Sequence, residues 1–246
     1  MRRRDSCVTD VIVILDVTFY GDHTTWQERN RIMVTMISPT AQSVIIDGVS
    51  WKTYECLLAD CGDSHAARMA YDQGKLEIMA PSFPHERLKT LLTDLVVAMA
   101  TGMDIDFEQA GSTTFRREDV GRGFEPEASF YMQHVAAIRG NTSIELDTDP
   151  PPDLIIEIDI THPSLDKLPI YAMIGVPEVW RYDGQHLVMY RLVNNQYQQT
   201  ATSLALAGVA HRDITRFLEA SEEMSRVAWI RHIQAWAQAS GHGERI

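Results

Sequence analysis

One short apolar run constrains this chain more than any other feature. From Leu154 to Ile160 the sequence is almost continuously aliphatic, opened by Pro151-Pro152 and broken only by Glu157 and Asp159. A buried strand that spends two positions on carboxylates faces a large desolvation cost unless the acids are paired or hold a cation. Strand periodicity puts Asp153, Glu157 and Asp159 on one face, and Leu154, Ile156, Ile158 and Ile160 on the other. One face then reads as core and the other as the lining of an acidic site. Lys167 follows eight residues after Asp159, on what reads as the next helix. Two acids and a lysine converging from a strand and its following helix are the kit for metal-assisted phosphodiester hydrolysis.

The remaining patterns predict alternating strands and helices. Gln42–Ile46 reads as a short strand, and Ser50 as the N-cap of a helix carrying Trp51, Tyr54, Leu57 and Leu58 that stops near Gly62. Gln73-Gly74 predicts a hairpin. The strongest helical period runs from Pro84 to Ala100 through Leu88, Leu91, Leu92, Leu95, Val96 and Met99. Strands are expected at Asp104–Ala110 and Glu127–Tyr131, with a polar loop after Phe115 between them. Asn141–Asp149 reads as a loop or short edge element. A helix is expected from about Ser164 to Ile174, closed by Gly175. A hairpin around Asp183-Gly184 and a strand at Asn194–Thr200 come next. The tail beyond Asp213 reads as helix, with Phe217, Leu218, Val227, Ile230, Ile233 and Trp236 facing the core.

Bulk properties narrow the partners. The net charge of −12 argues against a general nucleic-acid coat protein, which needs a basic stripe, but not against a nuclease. Cys7, Cys56 and Cys61 make no CxxC pair, which fits a reducing, cytoplasmic setting. No apolar run approaches the roughly 20 residues that span a membrane. Residues 1–32 carry five basic and five acidic side chains, so the acid excess lies wholly in 33–246. Their apolar core, Val11–Leu15, is too short for a secretory signal. They are expected to be a disordered leader or not part of the native chain. The expected organisation is that leader, a domain over 33–220 and a C-terminal helix over 221–246.

Three blocks carry a more specific signal: YDQGKLEIMAPSFPHERL, GSTTFRREDVGRGFEPEASFYM and PPDLIIEIDITHPSLDKLPIYAMIGVPEVWRYDG. Together they resemble the signature blocks of the Uma-two family, restriction-endonuclease-like proteins of the PD-(D/E)XK nuclease superfamily, over about Ser43 to Leu218. The resemblance implies an α/β (α+β) fold. Its core is a mixed sheet of four or five strands flanked by helices, with an N-terminal hairpin and a C-terminal helical tail. It also implies a Mg²⁺- or Mn²⁺-dependent DNA endonuclease that leaves a 3′-hydroxyl and a 5′-phosphate. DNA is the expected partner, with a homodimer as a further option and no membrane.

The resemblance carries roles onto particular residues. Glu127 stands where the family pattern Pro-Asp has its metal-binding aspartate; otherwise it is a surface acid opening a strand. Glu125 is then its solvated neighbour. Glu157 is the strand acid of the (D/E)XK element, with a buried salt bridge as the plainer reading. Asp159 occupies the usual lysine position, so Lys167 is the displaced lysine or a helix-surface residue. Asp159 is either an additional metal ligand or the partner of Lys167. His85, Glu86 and Glu77 are accessory candidates, although the helix N-terminus alone could explain Glu86. Arg116, Arg117 and Arg122 could hold phosphates or form a solvated loop. His134 and His162 read as structural, Asp153 as a strand-start residue, and Tyr171, Gly175, Pro177 and Trp180 as scaffold. The rival readings are a catalytically inactive nuclease-like binding or accessory module, and an oligomerising protein with a merely solvated acidic face.

Overall fold

The computed structural model describes residues 12–13, 34–37, 42–62, 67–160 and 165–241. The expectation for 1–32 lies outside the described residues except at Ile12–Val13, and those for His162 and Ser164 lie outside them entirely.

In chain order the first strands are β1 (Ile12–Val13), β2 (Val34–Ile37) and β3 (Gln42–Asp47), followed by helix α1 (Trp51–Cys61). Strands β4 (Arg68–Asp72) and β5 (Lys75–Ala80) precede α2 (Phe83–Gly102). Then come β6 (Glu108–Gln109), β7 (Phe115–Arg117), β8 (Arg122–Phe124), β9 (Ala128–Tyr131), α3 (Val135–Ile138) and β10 (Leu154–Ile158). The chain continues through α4 (Leu168–Ile174), β11 (Glu178–Tyr182), β12 (Leu187–Val193), β13 (Gln196–Thr200), α5 (His211–Ala220) and α6 (Arg226–Gly241).

These strands form two sheets flanked by helices, where one sheet was expected. The first is antiparallel in the order β1-β2-β3-β5-β4-β8-β7, and the second is mixed, β13-β12-β11-β10-β9-β6. The mixed character rests on a single parallel pair, β10 with β11. The short α4 makes the crossover between these two strands, as parallel neighbours require.

Local chemistry accounts for most boundaries. Ser50 Oγ accepts from Thr53 N at 3.1 Å and caps α1. Gln73 and Gly74, both at positive φ, turn β4 into β5. Gly175 ends α4 in the left-handed region, its N–H donating to the Tyr171 carbonyl. Leu91, Leu92, Leu95, Val96 and Met99 of α2 all pack in the main core with Leu154, Ile156 and Ile158 of β10. Each fully buried aliphatic side chain there contributes about 1.5–3 kcal/mol. Helix α6 belongs to the same core through Trp229 and Ile233. It lies so close to α2 that a Cβ on Gly102 would come within 2.7 Å of the Gln234 carbonyl oxygen.

Several expectations need correction. The stretch after Phe115 is not a loop: Gly121, at positive φ, helps turn β7 into β8. The strand expected at Asp104–Ala110 is reduced to β6, because Asp104 takes positive φ and Ile105 N donates back to the Ala100 carbonyl, extending the exit from α2. Helix α4 begins at Leu168, with Pro at its first turn and Lys167 at the N-cap. The tail is two helices, and Val227 points to solvent while Trp229 is buried. Glu125 is buried rather than solvated. Among the described residues, no helix is long and apolar enough to cross a membrane.

Candidate active site

The site forms where the chain crosses from the first sheet to the second. Strand β8 ends at Phe124, the segment Glu125-Pro126-Glu127 makes the passage, and β9 begins at Ala128. Strands β9 and β10 are antiparallel, with Ala128 opposite Ile156. One step further along that register puts Glu127 opposite Glu157. Glu157 is also the partner of Arg181 across the parallel pair. Directly opposed residues share a face, so Glu127, at the entry to β9, forms a row with Glu157 of β10 and Arg181 of β11. The apolar residues of β10 divide accordingly: Leu154, Ile156 and Ile158 enter the core under α2, and Ile155 lies on the site side with Val179 and Tyr171.

Both glutamates are almost fully buried, and their surroundings differ. Glu157 receives Lys167 Nζ on one oxygen at 2.9 Å and the Tyr171 hydroxyl on the other at 2.6 Å. Lys167 and Tyr171 reach it together because they sit one helical turn apart at the start of α4. Burial alone would lower the Lys167 pKa, but the attraction of Glu157 overcomes this and raises it. Burial and the neighbouring Glu157 charge hold the Tyr171 hydroxyl protonated well above its ordinary range.

Glu127 is bonded through one oxygen to the guanidinium of Arg68, while its other oxygen, Oε1, is buried with no hydrogen-bond partner. Burial raises the Glu127 pKa to about 7, against the opposing pull of Arg68. Arg68 also bonds Glu86 at 2.7 Å, and Lys89 approaches Glu86 at 3.3 Å. Burial favours the neutral form of Glu86, yet Arg68 and Lys89 together bring its pKa below the usual value.

Asp159 is bonded by Arg181 at 2.6–2.7 Å, so its partner is that guanidinium rather than Lys167. Its pKa is raised by burial and by Glu157 despite Arg181. Glu77 accepts from the Ser43 hydroxyl at 2.7 Å. His85 is buried with Nδ1 2.9 Å from the Ser82 hydroxyl, and burial lowers its pKa, which favours the neutral ring. A cavity of about 50 Å³, lined by Glu77, His85, Glu157, Lys167, Tyr171 and Arg181 among others, lies over the row. That is room for a few waters or an ion. Glu127 does not line it.

The loop arginines do not gather at the row. Arg116 lies 3.6 Å from Glu55, Arg117 pairs with Asp119, and Arg122 forms an ion pair with Asp72 at 2.8 Å. Sequence reasoning missed Arg68 and Arg181. Arg68 opens the strand just before the predicted hairpin, and Arg181 lies in the third signature block. Each is the single cation of its strand, RMAYD and EVWRY, which was the available signal.

These are the elements that the family profile spans. The Uma2 family, described as "Putative restriction endonuclease", matches residues 51–219. The chain belongs to this family. No curated protein matches it. Among solved structures it is similar to a putative nuclease belonging to DUF820 from Anabaena variabilis. The two share 15% identity over 74% of this chain and 99% of that one, with a TM-score of 0.46.

Proposed function

We propose that this chain is a metal-dependent DNA endonuclease hydrolysing phosphodiester bonds, with Glu127 and Glu157 as the metal carboxylates and Lys167 as the catalytic cation. Family membership supports nuclease chemistry, and the buried, unpartnered Glu127 Oε1 carries the assignment of the site. An orphaned carboxylate oxygen in the interior costs free energy, and such groups call for an ion or water as explanation. Among the described residues no group of three or more His, Cys, Asp or Glu side chains converges as a ready cage. That suits Mg²⁺ or Mn²⁺, because Mg²⁺ takes one or two protein carboxylates and completes its octahedron with water and substrate phosphate.

When bound, the ion would polarise the phosphoryl oxygens and lower the pKa of water. The chain's own residues do the positioning. Tyr171 fixes the Glu157 carboxylate in place by its hydroxyl bond. Lys167, held charged by Glu157, stands on the cavity wall to stabilise negative charge developing on the phosphate. Arg68 fixes Glu127 through one oxygen and leaves the other without a hydrogen-bond partner.

A second reading is a catalytically inactive nuclease-like module. It is favoured by one observation: both oxygens of Glu157 are already bonded by Lys167 and Tyr171. Calorimetric titration with Mn²⁺, run beside plasmid nicking, separates the two. Stoichiometric binding with nicking supports the endonuclease, and no binding with no nicking supports the inactive module.

A further inference from the structure

The small cavity over the row has one wall residue that the chemistry above leaves unused. His85, in the first turn of α2, is 1% exposed and lines this cavity with Glu77, Glu157, Asp159 and Lys167. Phosphodiester hydrolysis needs a group that takes a proton from the attacking water. Each acid on the wall already has a donor. Lys167 and Tyr171 bond the two Glu157 oxygens, Arg181 bonds Asp159, Ser43 donates to Glu77, and the Leu168 amide donates to the exposed Asp166. Lys167, held charged by Glu157, has protons to donate and no lone pair to accept one.

His85 is held from its other side. Ser82 stands at the N-cap of α2, where a serine hydroxyl ordinarily accepts from a first-turn amide. Here it makes no cap bond and lies 2.9 Å from His85 Nδ1 instead. Among the described residues Nε2 has no hydrogen-bond partner. A base oriented through one nitrogen and free at the other is the usual arrangement of a proton acceptor. Burial, Arg68 from β4 and Lys167 from the start of α4 lower the His85 pKa, and Glu86 opposes them. Glu77 of β5 and Glu157 of β10 share its cavity. The ring is therefore neutral at pH 7.

We propose that His85 is the general base of the hydrolysis, with Nδ1–H donated to Ser82 and the Nε2 lone pair taking a proton from the attacking water. The water O–H bond breaks towards Nε2, and its oxygen forms the new bond to phosphorus. The P–O3′ bond breaks, and the leaving oxygen takes a proton from solvent. Ser82 is a positioning residue. This rests on the endonuclease reading.

Plasmid nicking by the full chain at saturating Mn²⁺, followed from about pH 5 to 9, tests it. Glu127 titrates in Mn²⁺ binding and drops out at saturation. The parent rate should rise through an acid limb below 6.5, the ordinary histidine value. His85→Asn should slow nicking by about 10²-fold or more and flatten that limb, with Mn²⁺ affinity in calorimetry within about twofold of the parent. Added imidazole should restore part of the rate to His85→Ala. Should neither variant fold, Ser82→Ala keeps the ring and loosens its tautomer, so the rate should fall and the limb should move to lower pH. Nicking at the parent rate in His85→Asn, a slowed variant that keeps the limb, or an unmoved limb in Ser82→Ala would overturn the proposal. A parent chain that does not nick at all removes the endonuclease reading and this one with it. A nicking parent indifferent to His85 removes this one alone.

Discussion

Two sets of buried carboxylates in this molecule are held in opposite ways. Glu178 accepts from Trp180 Nε1 and from the Leu204 and Ala205 amides, at 2.6–2.7 Å. Asp153 accepts from the Met132 and His134 amides, and Glu125 from the Met69 amide and the Thr114 hydroxyl. Backbone N–H groups dominate this set, and each acid ties distant segments together. Glu127, Glu157 and Asp159 instead face Arg68, Lys167 and Arg181, and Glu127 keeps an oxygen with no partner. The first set is organised for stability. The second concentrates charge in one place and leaves it incompletely satisfied, as sites for reactive anions and cations are.

The largest expected effect breaks the two sets apart. Glu157→Ala should abolish Mn²⁺ binding in calorimetry and nicking of plasmid, and should also lower the melting temperature because it strands the buried Lys167 ammonium and Tyr171 hydroxyl. Glu178→Ala should cost stability alone. Its loss strands two amides and an indole N–H in the interior, which costs about 3 kcal/mol or more. A fall in melting temperature of roughly 10 °C is expected with metal binding preserved in what remains folded. If Glu157→Ala kept full nicking, the site assignment would be wrong.

Next comes Lys167. Lys167→Met keeps most of the side-chain length and removes the ammonium, so a rate lower by about 10²–10³ is expected if it stabilises the transition state. Because Glu157 is buried, removing its cation also leaves an uncompensated charge, which is destabilising. Mn²⁺ should therefore stabilise this variant more than the parent chain, a difference readable in thermal melts with and without the ion. Unchanged cleavage would mean that Lys167 is only the counter-ion of Glu157.

The unpartnered acid gives a pH signature. Glu127 has its pKa raised to about 7 in the folded chain, above the ordinary glutamate value of 4.5. The folded state thus holds a proton that the unfolded chain releases. Stability from this group is intact below about pH 4.5 and declines as pH rises towards about 7, by roughly 3 kcal/mol in all. Urea titrations of the parent chain and Glu127→Gln across this window should diverge progressively, with the glutamine variant gaining relative stability at the alkaline end. Parallel curves would show that Arg68 already satisfies the charge. Mn²⁺ binding should strengthen over the same interval, since the ligand must lose its proton.

How much of this was legible beforehand depended on how local the determinant is. Strand β10, helix α2, the turn at Gln73-Gly74 and the stop at Gly175 follow from periodicity and capping within a few residues. That Glu157 would need partners in the interior was legible because two acids interrupt an aliphatic strand. Arg68 was not, because its partner Glu127 lies 59 residues away, across the junction of the two sheets. The fate of Glu125 depended on Met69 and Thr114 reaching it from other strands, which no local pattern of Glu125-Pro126-Glu127 could show. Arg181 became a member of the site only through the parallel register with Glu157, set by the crossover through α4.

Asp159 tests the comparison at its boundary and should give the smallest effect. It lies one residue beyond β10, its N–H donating to the Tyr182 carbonyl, and its carboxylate is taken by Arg181. Burial and the Glu157 charge both disfavour its ionised form, so little net stabilisation is lost when the charge is removed. Asparagine keeps one acceptor for Arg181. Asp159→Asn should then change the Mn²⁺ dissociation constant by a factor of about two to three, the scale of a weak, partly solvated ion pair of about 0.5 kcal/mol. Calorimetry beside Glu157→Ala decides the point. A loss as complete as that of Glu157→Ala would move Asp159 from the counter-ion of Arg181 into the metal site. The row across the sheet would then hold three working acids instead of two.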